Sequence, residues 1–217
     1  MAQHAIILCS GGLDSTTVAY QAAQTYDTLT LLFFNYQQPT IEQERQSAQT
    51  AAQSLKAEFK EITLQKLDMA GTPNKLQEKD LKDTQEESAN CYIPARNLIF
   101  LSHALSYVDT LPEKADILVG FKNEGPEHYP DTTPAFVQQV NQISQEATKT
   151  KPKILAPLIK MDKEDIIQLA TNLKVPLENT FSCYTSDTKH CGTCLNCQLR
   201  KAGFKWANQN DPTAYLE

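Results

Sequence analysis

Two clusters of residues in this chain have the types and the spacing to do chemistry. The first is Ser10-Gly-Gly-Leu-Asp-Ser-Thr16, extended by Thr17, which directly follows the apolar run Ala5 to Cys9. The chain has only 7 glycines, so the adjacent pair Gly11-Gly12 marks backbone that must pass close to something. Glycines let backbone N–H groups approach phosphate oxygens, the hydroxyls of Ser10, Ser15 and Thr16 add donors, and a helix start behind them favours negative charge. Asp14 is the odd member, since a carboxylate beside phosphates repels them unless Mg²⁺ lies between. The second cluster is Cys183-x7-Cys191-x2-Cys194-x2-Cys197, which takes up most of the chain's 6 cysteines. This spacing lets four thiolates surround a tetrahedral ion with no open coordination position, which points to structural Zn²⁺. An iron–sulfur cluster is the competing reading, because Cys-x2-Cys-x2-Cys also holds clusters.

The elements that must position these clusters follow from the hydrophobic pattern. Ala5 to Cys9 and Thr28 to Phe34 are continuous apolar runs of strand length, as for strands buried on both faces of a parallel sheet. A helix is expected over Thr16 to Thr25. Another runs from an N-cap at Thr40 to Lys56, with Gln43 completing a capping box. Glu58 to Leu64 alternates as a third strand nearer an edge. This βαβαβ opening predicts a doubly wound, mostly parallel α/β sheet. The polar stretch Gln65 to Asn90 shows no convincing period and reads as a long functional or mobile loop. Arg96 to Val108 is expected as a helix with Leu98, Leu101, Leu105 and Val108 on its buried face. Asp116 to Gly120 and Ile154 to Leu158 are further strands. Thr133 and Pro134 open a helix to about Thr148, and Asp162 caps a helix over Lys163 to Leu173. Beyond Pro176 the pattern dissolves into the cysteine segment and a polar tail. The expected division is an α/β domain over 1–180 and a metal-binding segment with a tail over 181–217.

Composition bounds the function. The chain has 217 residues with 41% hydrophobic and 21% charged content, enough for a real core. Its net charge of −6 argues against stable binding to nucleic acid, which needs a basic surface. The apolar run Ala5 to Cys9 is too short for a signal segment or a membrane span, so the reading is a cytoplasmic protein without membrane contact. In that compartment thiols stay reduced, which disfavours disulfides. Cys9, on the first strand, reads as a small hydrophobe that also borders the phosphate loop. Cys91 borders Ile93-Pro-Ala-Arg-Asn97 and could face a site. Among the histidines, His103 reads as structural, while His128 lies in a polar loop that could touch a ligand.

The loop is neither the Gly-Lys-Ser/Thr phosphate motif nor the dinucleotide Gly-x-Gly-x-x-Gly. It resembles the PP-loop of the ATP pyrophosphatase superfamily, whose members split ATP between the α- and β-phosphates and adenylate a substrate oxygen. Together with Ile93-Pro-Ala-Arg-Asn97, Ser182-Cys-Tyr184 and Cys191-Gly-x-Cys-x-x-Cys-x-Leu-Arg200, it resembles the 7-cyano-7-deazaguanine synthase family from Ala5 to Phe204. Lys163 sits where that family carries a lysine. The resemblance implies an ATP-dependent ligase that adenylates 7-carboxy-7-deazaguanine and aminates it with ammonia to the amide and then the nitrile. ATP binding would fall to Cys9 through Thr17. Asp14, Arg96 and Lys163 would be catalytic, and Tyr36, Arg96, Asn97, Lys122 and Asp131 would meet the base. Lys160 is a further candidate cation. Relatives are often homodimers, which implies the same here.

Departures from the family pattern are informative. The usual Phe-Asp-Tyr-Gly-Gln-Arg-His is Phe34-Asn-Tyr-Gln-Gln-Pro-Thr40 here, and Tyr-Pro-Asp-Cys-Arg-Pro is Tyr129-Pro-Asp-Thr-Thr-Pro134. Two arginines and a histidine are therefore missing from loops expected to face the substrate. The pattern is also compatible with a diverged, defence-associated branch that would use the same adenylation to join a 7-deazaguanine base to a partner protein's amine. A tRNA-modifying PP-loop enzyme is disfavoured by the acidic balance. A non-enzymatic ATP sensor is disfavoured by the presence of Asp14 and the 93–97 segment.

Overall fold

A computed structural model describes residues 3–122 and 129–216. His128 lies outside the described residues. Five parallel strands form one sheet in the order β3-β2-β1-β4-β5. They are β1 (His4–Leu8), β2 (Thr28–Asn35), β3 (Glu58–Thr63), β4 (Ala115–Leu118) and β5 (Ile154–Leu155). The helices are α1 (Leu13–Ala22), α2 (Ile41–Leu55), α3 (Gln85–Cys91), α4 (Arg96–Val108), α5 (Pro134–Ala147), α6 (Lys163–Asn172) and α7 (Leu195–Trp206).

The continuous apolar runs are explained by two cores, one on each face of the sheet. Ala5 and Ile7 of β1 join Leu29, Leu31 and Phe33 of β2 beneath α1, α2, α6 and α7. Ile6, Leu32 and Phe34 face the other way, against Leu101, Ala104 and Leu105 of α4 and Val140 of α5. Alternate residues of a central strand thus serve opposite cores, and the buried polar pair His4 and Thr30 satisfies itself by a 2.9 Å hydrogen bond. The chain runs outward from β1 through β2 to β3, then returns to lay β4 on the other side of β1. The loops after β1 and β4 therefore part at the switch point of the sheet, where ligands bind in open α/β folds.

Several local expectations change. The first helix begins at Leu13, not Thr16, so Asp14-Ser-Thr forms its first turn. Thr40 is the N-cap of α2, but no side-chain capping bond forms; its hydroxyl is drawn instead to Glu44 Oε1 at 2.6 Å, and the box with Gln43 is absent. Leu98 is exposed at 40%, and Asn97 and Ala104 occupy the buried face of α4 beside Leu101, Leu105 and Val108. The paired part of β5 is only two residues, and Leu158 turns into the opposite core. The 65–90 stretch carries a 3₁₀ turn at Glu78–Lys82 and helix α3. It is tied down by Gly71 N–H to the Asn90 carbonyl at 2.9 Å and by Leu76 N–H to the Thr193 carbonyl at 2.7 Å. The cysteine segment does not dissolve into a tail. It continues into α7, whose Phe204 is 2% exposed inside the main core.

Candidate active site

The phosphate-type loop is a tight bend whose glycines have different tasks. Gly11 has φ of +76°, and a Cβ there would stand 2.6 Å from the Glu44 carbonyl oxygen and 2.7 Å from the Ala48 nitrogen. Its small size lets helix α2 lie directly on the loop. Gly12 is the N-cap of α1 and has only the Ser10 hydroxyl within 3.4 Å of such a Cβ. Gly120, just past β4, comes equally close to the start of α1, with a Cβ position 3.0 Å from Ser15 N. The first-turn N–H groups of α1 open here, a ready site for anionic oxygens. Ser10 and Ser15 hydroxyls lie 3.3 Å apart, and Ser10 Oγ also accepts from Gly12 N–H at 3.3 Å.

A cavity of about 560 Å³ spreads from this loop. Of the residues expected at the nucleotide, Cys9, Ser10, Gly12, Leu13, Asp14 and Ser15 line it. Gly11, Thr16 and Thr17 do not. Thr17 is fully buried and donates its hydroxyl to the Leu13 carbonyl at 2.8 Å, a helix-internal role. Burial pushes the Cys9 thiol pKa up, with hydrogen bonds from Gly11, Ser15 and Thr16 working the other way, which fits its reading as a small apolar residue. Lys163, the first residue of α6, reaches into the cavity and places Nζ 2.8 Å from both carboxylate oxygens of Asp14. The structure thus pairs two of the three expected catalytic residues.

Arg96 is the third. It opens α4 after Ala95, whose φ of 53° is left-handed and costs a non-glycine residue about 1 kcal/mol. The strained corner turns Arg96 toward Tyr36, Tyr184 and Asp131, which together hold its guanidinium charged despite burial. Its guanidinium carbon is 5.9 Å from the Phe100 ring centroid. Tyr36, Arg96, Asn97 and Lys122 line the cavity. Asp131 does not line it. Its buried carboxylate accepts from Asn97 N–H at 2.9 Å, and its carbonyl accepts from the Asn97 side chain at 3.2 Å. Asp131 therefore fixes the start of α4 and acts behind the cavity wall. Lys160 is exposed and does not line the cavity.

Cys183, Cys191, Cys194 and Cys197 place their sulfurs within 4.8 Å of one another, an arrangement that can hold a metal ion. The chain around them supplies N–H donors to sulfur. Cys183 Sγ accepts from Thr185, Ser186 and Cys191, and Cys191 Sγ accepts from Thr193 and Cys194. Such bonds favour thiolates and fix their directions. The segment is stitched to the loop: Phe181 N–H donates to the Gly11 carbonyl at 2.9 Å, and Leu13 N–H approaches Ser182 Oγ at 3.5 Å. His190 accepts from Ser182 N–H at 3.1 Å, and burial holds its pKa down at about 4, so it is a neutral support. Cys91 also lines the cavity, but burial and Glu87 push its thiol up to about 12, which keeps it protonated and poorly nucleophilic.

Sequence reasoning missed Glu44, Phe100 and Gly120 at this site. Phe100 had a readable signal, lying one helical turn past Arg96 on the same side of α4. The other two are visible only once α2 and β4 are laid beside β1.

The described residues include no helix long and apolar enough to cross a membrane. Among solved structures, a predicted subunit of a tRNA methyltransferase from Methanocaldococcus jannaschii superposes with a TM-score of 0.50 at 15% identity, covering 99% of this chain and 93% of that one. That likeness speaks to the fold alone. Sequence relatives are nearer. The 7-cyano-7-deazaguanine synthase of Methanothrix thermoacetophila is 34% identical over 223 residues, covering 97% of this chain and 98% of its own. The protein of the same name from Nitratiruptor sp. is 36% identical over 217 residues, again covering 97% and 98%. The queuosine biosynthesis protein QueC family model matches residues 4–208. Because that match runs unbroken from the first strand through the phosphate loop to the last cysteine and beyond, the chain belongs to the queuosine biosynthesis protein QueC family.

Proposed function

We propose that the chain is an ATP-dependent carbon–nitrogen ligase that converts 7-carboxy-7-deazaguanine, through its amide, to 7-cyano-7-deazaguanine. The observation that carries this is the bidentate hold of Lys163 on Asp14 at the first turn of α1, in the cavity that Arg96 also enters. The substrate carboxylate attacks the α-phosphorus of ATP, giving an acyl adenylate and pyrophosphate. Ammonia adds to the acyl carbon and AMP leaves, which makes the amide. A second ATP activates the amide oxygen, and loss of AMP with a proton leaves the nitrile. The protein's task is chiefly electrostatic, because an anion must approach a polyanion. The N–H groups of α1, Lys163 and Arg96 offset that charge. Mg²⁺ entering with the nucleotide would add to this neutralisation, and Asp14 is the loop carboxylate able to hold it.

The cysteine site is read as structural zinc. Zinc bound to four thiolates at about 2.3 Å separates neighbouring sulfurs by about 3.8 Å, and here Cys183–Cys194 is 4.0 Å and Cys191–Cys197 is 3.9 Å. All four sulfurs lie within 4.8 Å of one another, which suits a single ion better than a multi-iron core. We read the enzyme as a cytoplasmic homodimer; its mass in solution tests the second part.

The decisive experiment incubates the protein with ATP, Mg²⁺, 7-carboxy-7-deazaguanine and ammonium. AMP, pyrophosphate and the base are followed by mass spectrometry. Nitrile with AMP is expected; ADP, or no AMP, overturns the reading. One observation favours a second outcome. Pro39, Thr40 and Thr132 line the cavity at positions where the family pattern has arginine, histidine and cysteine. If turnover stalls at the adenylate or amide and resumes with a partner protein, the acceptor is that protein's amine, as in conjugation by a defence system.

A further inference from the structure

Part of the cavity has an aromatic wall of Phe34, Tyr36 and Phe100. Phe34 and Phe100 stack with centroids 4.3 Å apart and planes 3° apart, and Tyr36 leans on Phe100 at 5.5 Å. An arginine and a glutamate line the cavity beside this wall. One is Arg96, whose Nε is buried with no hydrogen-bond partner among the described residues. The other is Glu44: burial raises its carboxyl pKa, while the hydrogen bonds from Thr40 and Gln38 and the nearby Arg96 charge work in favour of the carboxylate.

The Glu44 carboxylate is fixed by its surroundings. Thr40 donates to Oε1 at 2.6 Å and Gln38 donates to Oε2 at 2.9 Å. Gln38 is itself immobilised, accepting from Tyr36 N–H at 3.0 Å and reaching the Phe34 carbonyl at 3.2 Å. Each carboxylate oxygen keeps further acceptor capacity. A held carboxylate and an unused guanidinium N–H beside an aromatic wall fit a planar heterocycle with adjacent donors on one edge and an acceptor next to them. A guanine-type ring has that pattern in its ring N1–H, its 2-amino group and its carbonyl oxygen. Adenine does not, because its ring N1 would turn a lone pair toward the carboxylate.

We propose that Glu44 is the residue that reads the guanine-type edge of the base, accepting from the ring N1–H and the 2-amino group while Arg96 Nε–H meets the ring carbonyl. This rests on the deazaguanine reading above. Thr40 and Gln38 act through Glu44 and are positioning residues.

The test is calorimetric binding of 7-cyano-7-deazaguanine and of its 2-deamino counterpart to the full chain, with ATP binding measured in parallel. The unaltered protein should prefer the 2-amino base by about 10–100-fold, the range for a charge-assisted hydrogen bond. Glu44→Gln should compress that preference to a few-fold while leaving ATP affinity unchanged, and Thr40→Val should compress it partly. Equal binding of the two bases by the unaltered protein overturns the proposal, and needs no variant to fold. An undiminished preference in Glu44→Gln, or a loss of ATP affinity instead, also overturns it. Failure of the underlying reading looks different: the unaltered protein would bind ATP but neither base.

Discussion

Lys163 holds both carboxylate oxygens of Asp14 at 2.8 Å although 149 residues separate them in the chain. Lys163 opens α6, where the helix dipole disfavours a cation, whereas Asp14 lies in the first turn of α1, where an anion is welcome. The lysine is therefore badly placed for its own helix and well placed for the phosphate loop. Asp14→Ala and Lys163→Ala should each lower AMP formation by at least about 100-fold, as expected for removing a preorganised charge from a transition state. Asp14→Ala should also be the more destabilising of the two, since it strands an ammonium that is only 13% exposed. Pyrophosphate release and thermal melting measure both effects. Normal AMP formation by Asp14→Ala would remove the pair from the chemistry.

The two loop glycines should separate folding from binding. At Gly11 a methyl group meets rigid backbone, with Glu44 O at 2.6 Å and Ala48 N at 2.7 Å, and φ of +76° adds strain. Gly11→Ala should cost about 2–4 kcal/mol, in the range of overpacking combined with a left-handed conformation. At Gly12 the nearest atom is the movable Ser10 hydroxyl at 3.3 Å, with no positive φ. Gly12→Ala should melt within a few degrees of the unaltered protein but bind ATP at least tenfold more weakly, by crowding the space over the helix start. Equal thermal losses in the two variants would contradict this division.

The frame and the loop were legible because their signals are local. Two apolar runs flank a glycine pair, and four cysteines crowd one segment; neither needs tertiary knowledge. Leu98 was misread because a helical period alone cannot tell which of two adjacent stripes meets the sheet. Helix α7 escaped notice because Cys197, Gln198 and Arg200 share its buried face with Leu195, and its large apolar anchor Phe204 comes late. Asp131 was expected at the base from its place in a motif, yet its hydrogen bonds to Asn97 turn it into a support for α4. Glu44 was invisible for a similar reason: only Thr40 and Gln38, held by the curl of the 36–40 turn, give its carboxylate a direction.

Metal loss should reach the nucleotide site through the stitching of residues 181 and 182 to Gly11 and Leu13. Cys197 is fully buried and contributes one of the four clustered sulfurs. Cys197→Ser, or treatment with a strong chelator, should release about one metal per chain and lower stability by several kcal/mol. Affinity for a non-hydrolysable ATP analogue should fall about tenfold in step. Elemental analysis, melting and calorimetry on the same samples follow the three changes. Retention of nucleotide affinity in metal-free, folded protein would show that the stitching does not support the loop.

The acid limb of stability offers a test of the sheet edge. Arg45 Nε and Nη2 donate to Glu61 at 2.9 and 3.0 Å, and Asn35 donates at 3.0 Å, joining α2 to β3 and β2. The hydrogen bonds from Arg45 lead in holding the Glu61 carboxyl below the usual carboxylate range, against the opposing effect of burial. A carboxyl whose pKa is depressed by folding stabilises the native state above its unfolded pKa and loses that contribution as pH falls through the folded value. Glu61 is 25% exposed, so solvent screens the pair and the contribution at neutral pH should be about 0.5–1 kcal/mol. Glu61→Gln should therefore be less stable than the unaltered protein at pH 7, and the difference should shrink from about pH 4.5 downward. Denaturant melts of both proteins from pH 7 to pH 3 measure it. A difference that stays constant over that interval would mean that Glu61 contributes packing and not charge.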